Sequence, residues 1–74
     1  MATVLLDACG LRCPQPVLKI AAKATEMNKG DILEVIADCP TFTTDVNRWC
    51  SRIKKPLLFI QDIGNGKQKC QIQF

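Results

Sequence analysis

Histidine is absent from this chain of 74 residues. Its absence excludes an internal Cys-His catalytic pair and any Cys/His zinc site, so proteolysis or acyl transfer by a self-contained dyad is disfavoured. The cysteines form no C-x-x-C pair, which removes the zinc-ribbon and thioredoxin-type motifs. They are Cys9, Cys13, Cys39, Cys50 and Cys70. Thiol chemistry that needs no built-in general base remains open.

Targeting features are also missing. The amino terminus has no basic region followed by a long apolar core, so we expect neither a signal peptide nor a membrane span. A cytoplasmic location and the lack of a membrane partner are the corresponding predictions. An odd number of cysteines without a secretory signal also argues against a framework of disulfides.

The length allows a single domain, residues 1–74, with a modest core and no separate cofactor domain. We therefore predict no bound cofactor and no metal. The formal charge is +3, with acidic and basic residues interspersed rather than grouped. A solvated surface is the simplest interpretation of this pattern, and steering of a partner or contact with RNA is the alternative.

The most informative stretch is residues 9–16, Cys-Gly-Leu-Arg-Cys-Pro-Gln-Pro, between a short predicted strand at residues 4–6 and a run with helical spacing. Cys13 stands at this junction. Pro14 biases Cys13 away from the α region, into the extended conformation of a helix N-cap, and Pro14 itself suits the first helical position. Pro16 is still within the first turn, where a missing N–H costs little.

This geometry favours an anionic sulfur at Cys13. The free N–H groups of Gln15 and Val17 are expected to point at that sulfur, and Arg12 could add to their effect. A helix N-terminus contributes roughly 0.3–1 kcal/mol and one pKa unit is about 1.4 kcal/mol, so a dipole alone changes a thiol pKa by less than about one unit. We expect an exposed and moderately activated nucleophile that passes a group between partners.

The first helix is predicted over about Pro14 to Met27 and is followed by a turn in which Gly30 can adopt a left-handed conformation. One face of the helix is apolar and should meet the core. Its residues are Val17, Ile20, Ala21, Ala24 and Met27, with Leu18 and Ala22 widening it. Residues 32–37 are nearly all apolar, which predicts an inner strand parallel to the first.

A second helix is predicted to begin near Thr41 or Thr43, either of which can cap it, with Asp45 in an early turn. Apolar residues recur along it at helical spacing and predict a core stripe. They are Phe42, Val46, Trp49, Cys50 and Ile53.

A glycine-and-asparagine loop at residues 64–66 joins residues 57–63 to residues 67–74, which predicts a β-hairpin. The last strand alternates, with Cys70 on the buried face. The order β-α-β-α-β-β predicts an α/β two-layer sandwich, with two helices on one face of a four-stranded mixed sheet.

Asp38-Cys39-Pro40 follows the second strand, and it should neighbour Cys13 because the carboxyl ends of parallel strands share an edge. Asp38 could orient the loop by accepting backbone N–H bonds. It could instead shape the access of a partner thiol, although a carboxylate close to Cys13 opposes thiolate formation. Cys39 could be an inert small side chain, or a resolving thiol that forms a reversible disulfide with Cys13. Cys9 invites the second interpretation as well.

Leu11-Arg12-Cys13-Pro14-Gln15-Pro16, preceded by Asp7 and Gly10, resembles the Cys-Pro-x-Pro signature of the TusA/SirA-like family of small sulfur-carrier proteins. Asp38-Cys39-Pro40 resembles the family's acidic-residue-plus-proline element before its second helix, although a non-thiol residue is usual at position 39. The resemblance covers nearly the whole chain.

This resemblance implies a persulfide carried on Cys13. Its donor would be a cysteine desulfurase or a rhodanese-like protein, and its acceptor a DsrE-like protein. The chain would act as a sulfurtransferase-type carrier rather than as an independent turnover enzyme, in tRNA thiolation, molybdenum-cofactor sulfuration or sulfur oxidation. The residues that would support Cys13 are Arg12, Pro14, Pro16, Asp38 and Pro40.

Two other functions stay open at this stage. The predicted architecture is shared with the C-terminal domain of a translation initiation factor, which suggests a non-catalytic nucleic-acid-binding module. Aromatic residues make up only 5% of the chain and no basic run occurs, so we do not expect nucleic acid to bind directly. The third candidate is a thiol-disulfide switch that uses Cys13 with Cys39 or Cys9.

Overall fold

The computed structural model describes residues 2–13 and 15–74. Its elements are β1 (Thr3–Asp7), α1 (Gln15–Ala24), β2 (Ile32–Ala37), α2 (Phe42–Ile53), β3 (Leu57–Gly64) and β4 (Lys67–Gln73). This is the predicted order, and the predicted fold class is confirmed. The expectation that Pro14 begins the first helix lies outside the described residues. None of the helices in the described part of the chain is long and apolar enough to cross a membrane.

The four strands form one sheet in the order β1-β2-β4-β3. β1 runs parallel to β2, with Thr3 opposite Ile32 and Asp7 opposite Ile36. β4 pairs antiparallel with both β2 and β3. The parallel pair requires α1 to cross over the sheet, and it brings the carboxyl ends of β1 and β2 to the same edge.

The core lies between the sheet and the two helices. Every second residue of β2 is buried and points towards the helices, namely Leu33, Val35 and Ala37, and β4 adds Cys70 and Ile72 on the same face. The alternate residues of β4 are half-buried rather than fully solvated. One of them, Gln71, donates from Nε2 to Oε1 of Glu34 on β2 over 2.9 Å. Both helices therefore cover one face of the sheet, as predicted.

Helix α1 is shorter than predicted, since it ends at Ala24 rather than near Met27. The N–H of Glu26 donates to the carbonyl of Lys23, and that of Met27 to the carbonyl of Ala24. These i to i−3 bonds tighten the chain into a turn, which ends the α-helical ladder. Gly30 then adopts the expected left-handed conformation, with φ at 92°.

The buried face of α1 is also narrower than predicted. Ile20 and Pro16 are buried, whereas Leu18 is 62% exposed and Ala22 is exposed, so the expected widening of the apolar face is wrong. The cause is the helical period. Each residue turns the helix by about 100°, so a position midway between i and i+4 lies on the side opposite to both.

Helix α2 begins as predicted, with Thr41 at the N-cap and Asp45 in the first turn. The Thr41 hydroxyl does not cap the backbone but donates to the Asp45 carboxylate over 2.9 Å. The buried stripe recurs every four residues at Phe42, Val46 and Cys50.

Residues with positive φ values mark the turns in the carboxyl-terminal part of the chain. Lys54 ends α2 in a left-handed conformation, with φ at 58°. In the loop between β3 and β4, Asn65 and Gly66 have positive φ values of 56° and 71°. Two such residues in succession are the signature of a type I′ hairpin turn, so the predicted hairpin forms.

We expect Ile20→Ala to lower the free energy of unfolding by about 2–5 kcal/mol, because it leaves a cavity in the core. Leu18→Ala on the same helix is the matched control and should change it by no more than about 0.5 kcal/mol. Urea denaturation followed by the fluorescence of Trp49 measures both. Equal losses in the two variants would contradict the observed face of α1.

Candidate functional site

The two strand-to-helix junctions meet at the carboxyl edge of the parallel pair. The N–H of Gly10, in the first junction, donates to both carboxylate oxygens of Asp38 in the second, over 3.0 and 3.1 Å. The N–H of Ala8 continues the ladder by donating to the carbonyl of Ile36 over 2.8 Å. Asp38 therefore holds one loop against the other through backbone contacts.

The same edge brings together Cys13 and Cys39, whose sulfur atoms are joined in a disulfide. Their Cα atoms are 5.8 Å apart, inside the range that a disulfide spans without backbone distortion, although the two cysteines are 26 positions apart in the sequence. The two partners differ in accessibility. Cys39 is only 4% exposed, whereas Cys13 is the most accessible of the five cysteines.

The expected anion site at the start of α1 is not formed as predicted. The N–H of Gln15 donates to the carbonyl of Arg12 over 2.7 Å, so it is not free to point at the sulfur of Cys13. This hydrogen bond closes a turn at the start of the helix and occupies the Gln15 N–H. Arg12 itself is exposed.

The supporting prolines lie in different environments. Pro16 is fully buried in the first turn of α1, where it anchors the amino end of the helix to the core. Pro40 is exposed, in the turn that leads into α2. The structure therefore gives Pro16 a packing role, which the helical spacing of the apolar residues had not included.

Asp45 and Thr41 belong to the surroundings of the disulfide, and sequence reasoning missed this. The sulfur of Cys39 lies 3.6 Å from the hydroxyl oxygen of Thr41, which donates to Asp45. A carboxylate oxygen of Asp45 and the two sulfurs lie within 4.8 Å of one another. The signal was available in the spacing, because a residue in the first turn of a helix returns towards the chain just before it.

Cys13, Cys39 and Asp45 together offer three ligand atoms of the kind that hold metal ions. Thiolates, however, are the form of cysteine that binds metal, and a disulfide offers none. In the disulfide form these residues are therefore not a metal site. The sequence analysis placed Cys13 and Cys39 at the same edge of the sheet but did not place Asp45 beside them.

The remaining cysteines are free thiols in less reactive surroundings. Burial raises the pKa of Cys50 to about 11 and that of Cys70 to about 12. Desolvation, followed by the hydrogen bond to Asp7, raises the pKa of Cys9. Asp7 also accepts the backbone N–H of Cys9 over 3.0 Å. Cys50 and Cys70 are core residues, as expected.

Cys9 is not joined to Cys13, although it is much nearer to it in sequence than Cys39 is. Its side chain lines a cavity of about 250 Å³ together with Leu5, Ile36 and Lys67. Leu5 is 70% exposed, on the face of the sheet that the helices leave uncovered. Cys9 therefore lies towards the opposite face of the sheet from the buried Cys39.

We expect the cysteines to differ in how fast they react with an alkylating reagent. In the untreated protein at neutral pH, iodoacetamide should modify Cys9 alone, because Cys13 and Cys39 are in the disulfide. After mild reduction Cys13 should become the fastest-reacting thiol. Cys50 and Cys70 should react only as the pH approaches their raised pKa values of about 11 and 12, because the thiolate is the reacting species. Peptide mass spectrometry checks each site, and rapid labelling of Cys70 at neutral pH would contradict the described core.

We expect Asp38→Ala to lower the free energy of unfolding of the reduced protein by about 1 kcal/mol, because Gly10 loses its acceptor at an exposed position. Asp38→Asn keeps one carbonyl oxygen and should lose less. Urea denaturation of the three proteins in reductant measures the difference. Two variants that unfold like the parent would show that this contact does not hold the junctions together.

Comparison with known proteins agrees with this architecture. The crystal structure of the SirA-like protein from Desulfitobacterium hafniense superposes with a TM-score of 0.81 at 22% sequence identity, over 99% of this chain and 96% of that one. At this identity the likeness shows the fold. The family model of sulfurtransferase TusA matches residues 4–73, which include both junctions and all the cysteines. The chain therefore belongs to the TusA family of sulfurtransferases, small sulfur carriers that act together with other proteins.

Proposed function

We propose that this protein accepts sulfur as a persulfide on Cys13 and relays it to a protein partner. The accessibility of Cys13 supports this role most directly, because it is the cysteine that a partner's thiol can reach most easily. Its position supports the role as well. Cys13 lies between β1 and α1, at the edge of the sheet where the chain offers loops rather than regular elements to a partner.

The transfer consists of two displacements at sulfur. The reduced Cys13 thiolate attacks the outer sulfur of a donor's persulfide, and the donor's cysteine leaves as a thiolate. An acceptor's thiolate then attacks the outer sulfur on Cys13, which leaves in turn. Each step forms one sulfur–sulfur bond and breaks another, so no external oxidant or reductant is consumed.

This chemistry fits a chain without histidine, because a thiolate leaving group needs no proton relay. It also fits a carrier better than an independent turnover enzyme, since each partner supplies its own reacting group. We propose a cysteine desulfurase or rhodanese-like protein as donor and a DsrE-like protein as acceptor. A cytoplasmic location belongs to the proposal, because Cys13 must be reduced before it can receive sulfur.

The neighbouring residues support the proposal by shaping the loop that carries Cys13. Asp38 ties Gly10 to the second junction, and Pro16 anchors the start of α1 in the core. Arg12 and Pro40 are exposed beside the site, where they can contact a partner. Asp38 and Pro16 thus act as positioning residues, and Arg12 and Pro40 as docking residues.

The test is intact-mass analysis of the freshly reduced protein after incubation with a cysteine desulfurase and cysteine under anaerobic conditions, with rapid acid quenching. The parent should gain the mass of one sulfur atom, and Cys13→Ser should gain none. Cys9→Ser is the matched control, because it removes the other partly accessible thiol, and it should load like the parent. Loading that persists in Cys13→Ser would overturn the proposal.

A further inference from the structure

Cys39 has a sulfur atom bonded to that of Cys13, yet the transfer described above makes no use of it. We propose that Cys39 is a resolving thiol that discharges the Cys13 persulfide as hydrosulfide and leaves the two cysteines as a disulfide. This inference rests on the proposed function, since it requires sulfur on Cys13. It adds a second outcome for the carried sulfur besides delivery to an acceptor.

Geometry allows this reaction within the folded protein. The 5.8 Å between the Cα atoms of Cys13 and Cys39 lets their sulfurs meet without movement of the backbone. The two hydrogen bonds from Gly10 to Asp38 hold the loops in this arrangement. A pair of groups held together in this way reacts as if each were present at very high concentration.

Burial restricts what Cys39 can react with. Its side chain is 4% exposed and lies among core residues, and its sulfur is 3.6 Å from the Thr41 hydroxyl. A thiol of another molecule cannot readily approach it, whereas the sulfur of Cys13 is already in contact. Cys39 is therefore suited to attack Cys13 and unsuited to accept sulfur directly from a partner.

The reaction balances without any further reagent. The sulfur of Cys39 attacks the inner sulfur of the Cys13 persulfide, and a new bond forms between the two cysteine sulfurs. The sulfur–sulfur bond of the persulfide breaks, and its electron pair leaves with the outer sulfur. That sulfur takes the proton of the Cys39 thiol and departs as hydrosulfide. The carried sulfur is reduced and the two cysteine sulfurs are oxidised, so the electrons balance within the molecule.

The attack by Cys39 limits how long the protein holds the sulfur on Cys13. An acceptor must take the sulfur before Cys39 discharges it, and the resulting disulfide cannot be loaded again until a dithiol reductant opens it. In a reducing compartment such a disulfide is transient. Sulfur that finds no acceptor is then released as sulfide rather than transferred to an unrelated thiol.

The test follows the loaded protein after the sulfur source has been removed. Parent, Cys39→Ser and Cys9→Ser are reduced, loaded with inorganic polysulfide, desalted and incubated anaerobically. Intact mass and released sulfide are then measured over time. The parent and Cys9→Ser should release one sulfide for each sulfur carried and become lighter than the reduced chain by two hydrogens. Cys39→Ser should keep its added sulfur at least about tenfold longer, because no internal thiol can displace it.

The outcomes separate the two proposals. Loading on Cys13 with equal sulfur loss in the parent and Cys39→Ser would overturn the resolving role alone and leave the carrier intact. If the parent itself gains no sulfur under the same treatment, the carrier function fails and the resolving role fails with it. Cys39→Ala is the second variant. It places a small apolar group at this buried position, so it should behave like Cys39→Ser if the missing thiol is the cause.

Discussion

Parallel pairing of β1 with β2 is the constraint on which the rest of the structure depends. Parallel neighbours cannot be joined by a tight turn, so the chain must leave the sheet, form α1 and return. The pairing is anchored at both ends, since Ile32 donates to the carbonyl of Ala2 and Ala8 donates to that of Ile36. Its register places the residues after Asp7 beside those after Ala37. The contacts between the two junctions, from Gly10 to Asp38 and from Cys13 to Cys39, follow from that placement.

The cysteines of this chain differ in reactivity because they differ in burial. Cys50 and Cys70 fill space in a small core, and their raised pKa values of about 11 and 12 keep them as neutral thiols. Cys13 is accessible at the rim, and Cys39 lies just beneath it with almost no contact with solvent. A chain rich in cysteine thus exposes Cys13 most, leaves Cys9 partly accessible and buries the other three. The proposed carrier and resolving roles both depend on this gradient of exposure.

Much of the fold followed from local patterns. The apolar run of β2, the spacing along α2 and the Asn65-Gly66 turn each specify their element through nearest neighbours, so they were predictable. The errors occurred on α1, at its carboxyl end and on the width of its buried face. Helix α1 ends in a tight turn before Met27, although the apolar spacing continues to that residue. Leu18 is apolar yet exposed, because its place in the helical period puts it opposite the buried Pro16 and Ile20.

By itself, the sequence determined that a cysteine stands between a strand and a helix and that no histidine can serve as its base. The first follows from the local strand and helix patterns on either side of Cys13, and the second from composition. Only the tertiary structure decided that the partner of Cys13 is Cys39, 26 residues away, rather than the much nearer Cys9. The reason is that sequence separation does not measure distance once two strands pair. The strand ends bring Cys39 beneath Cys13 and place Asp45 beside them, while the chain carries Cys9 towards the uncovered face of the sheet.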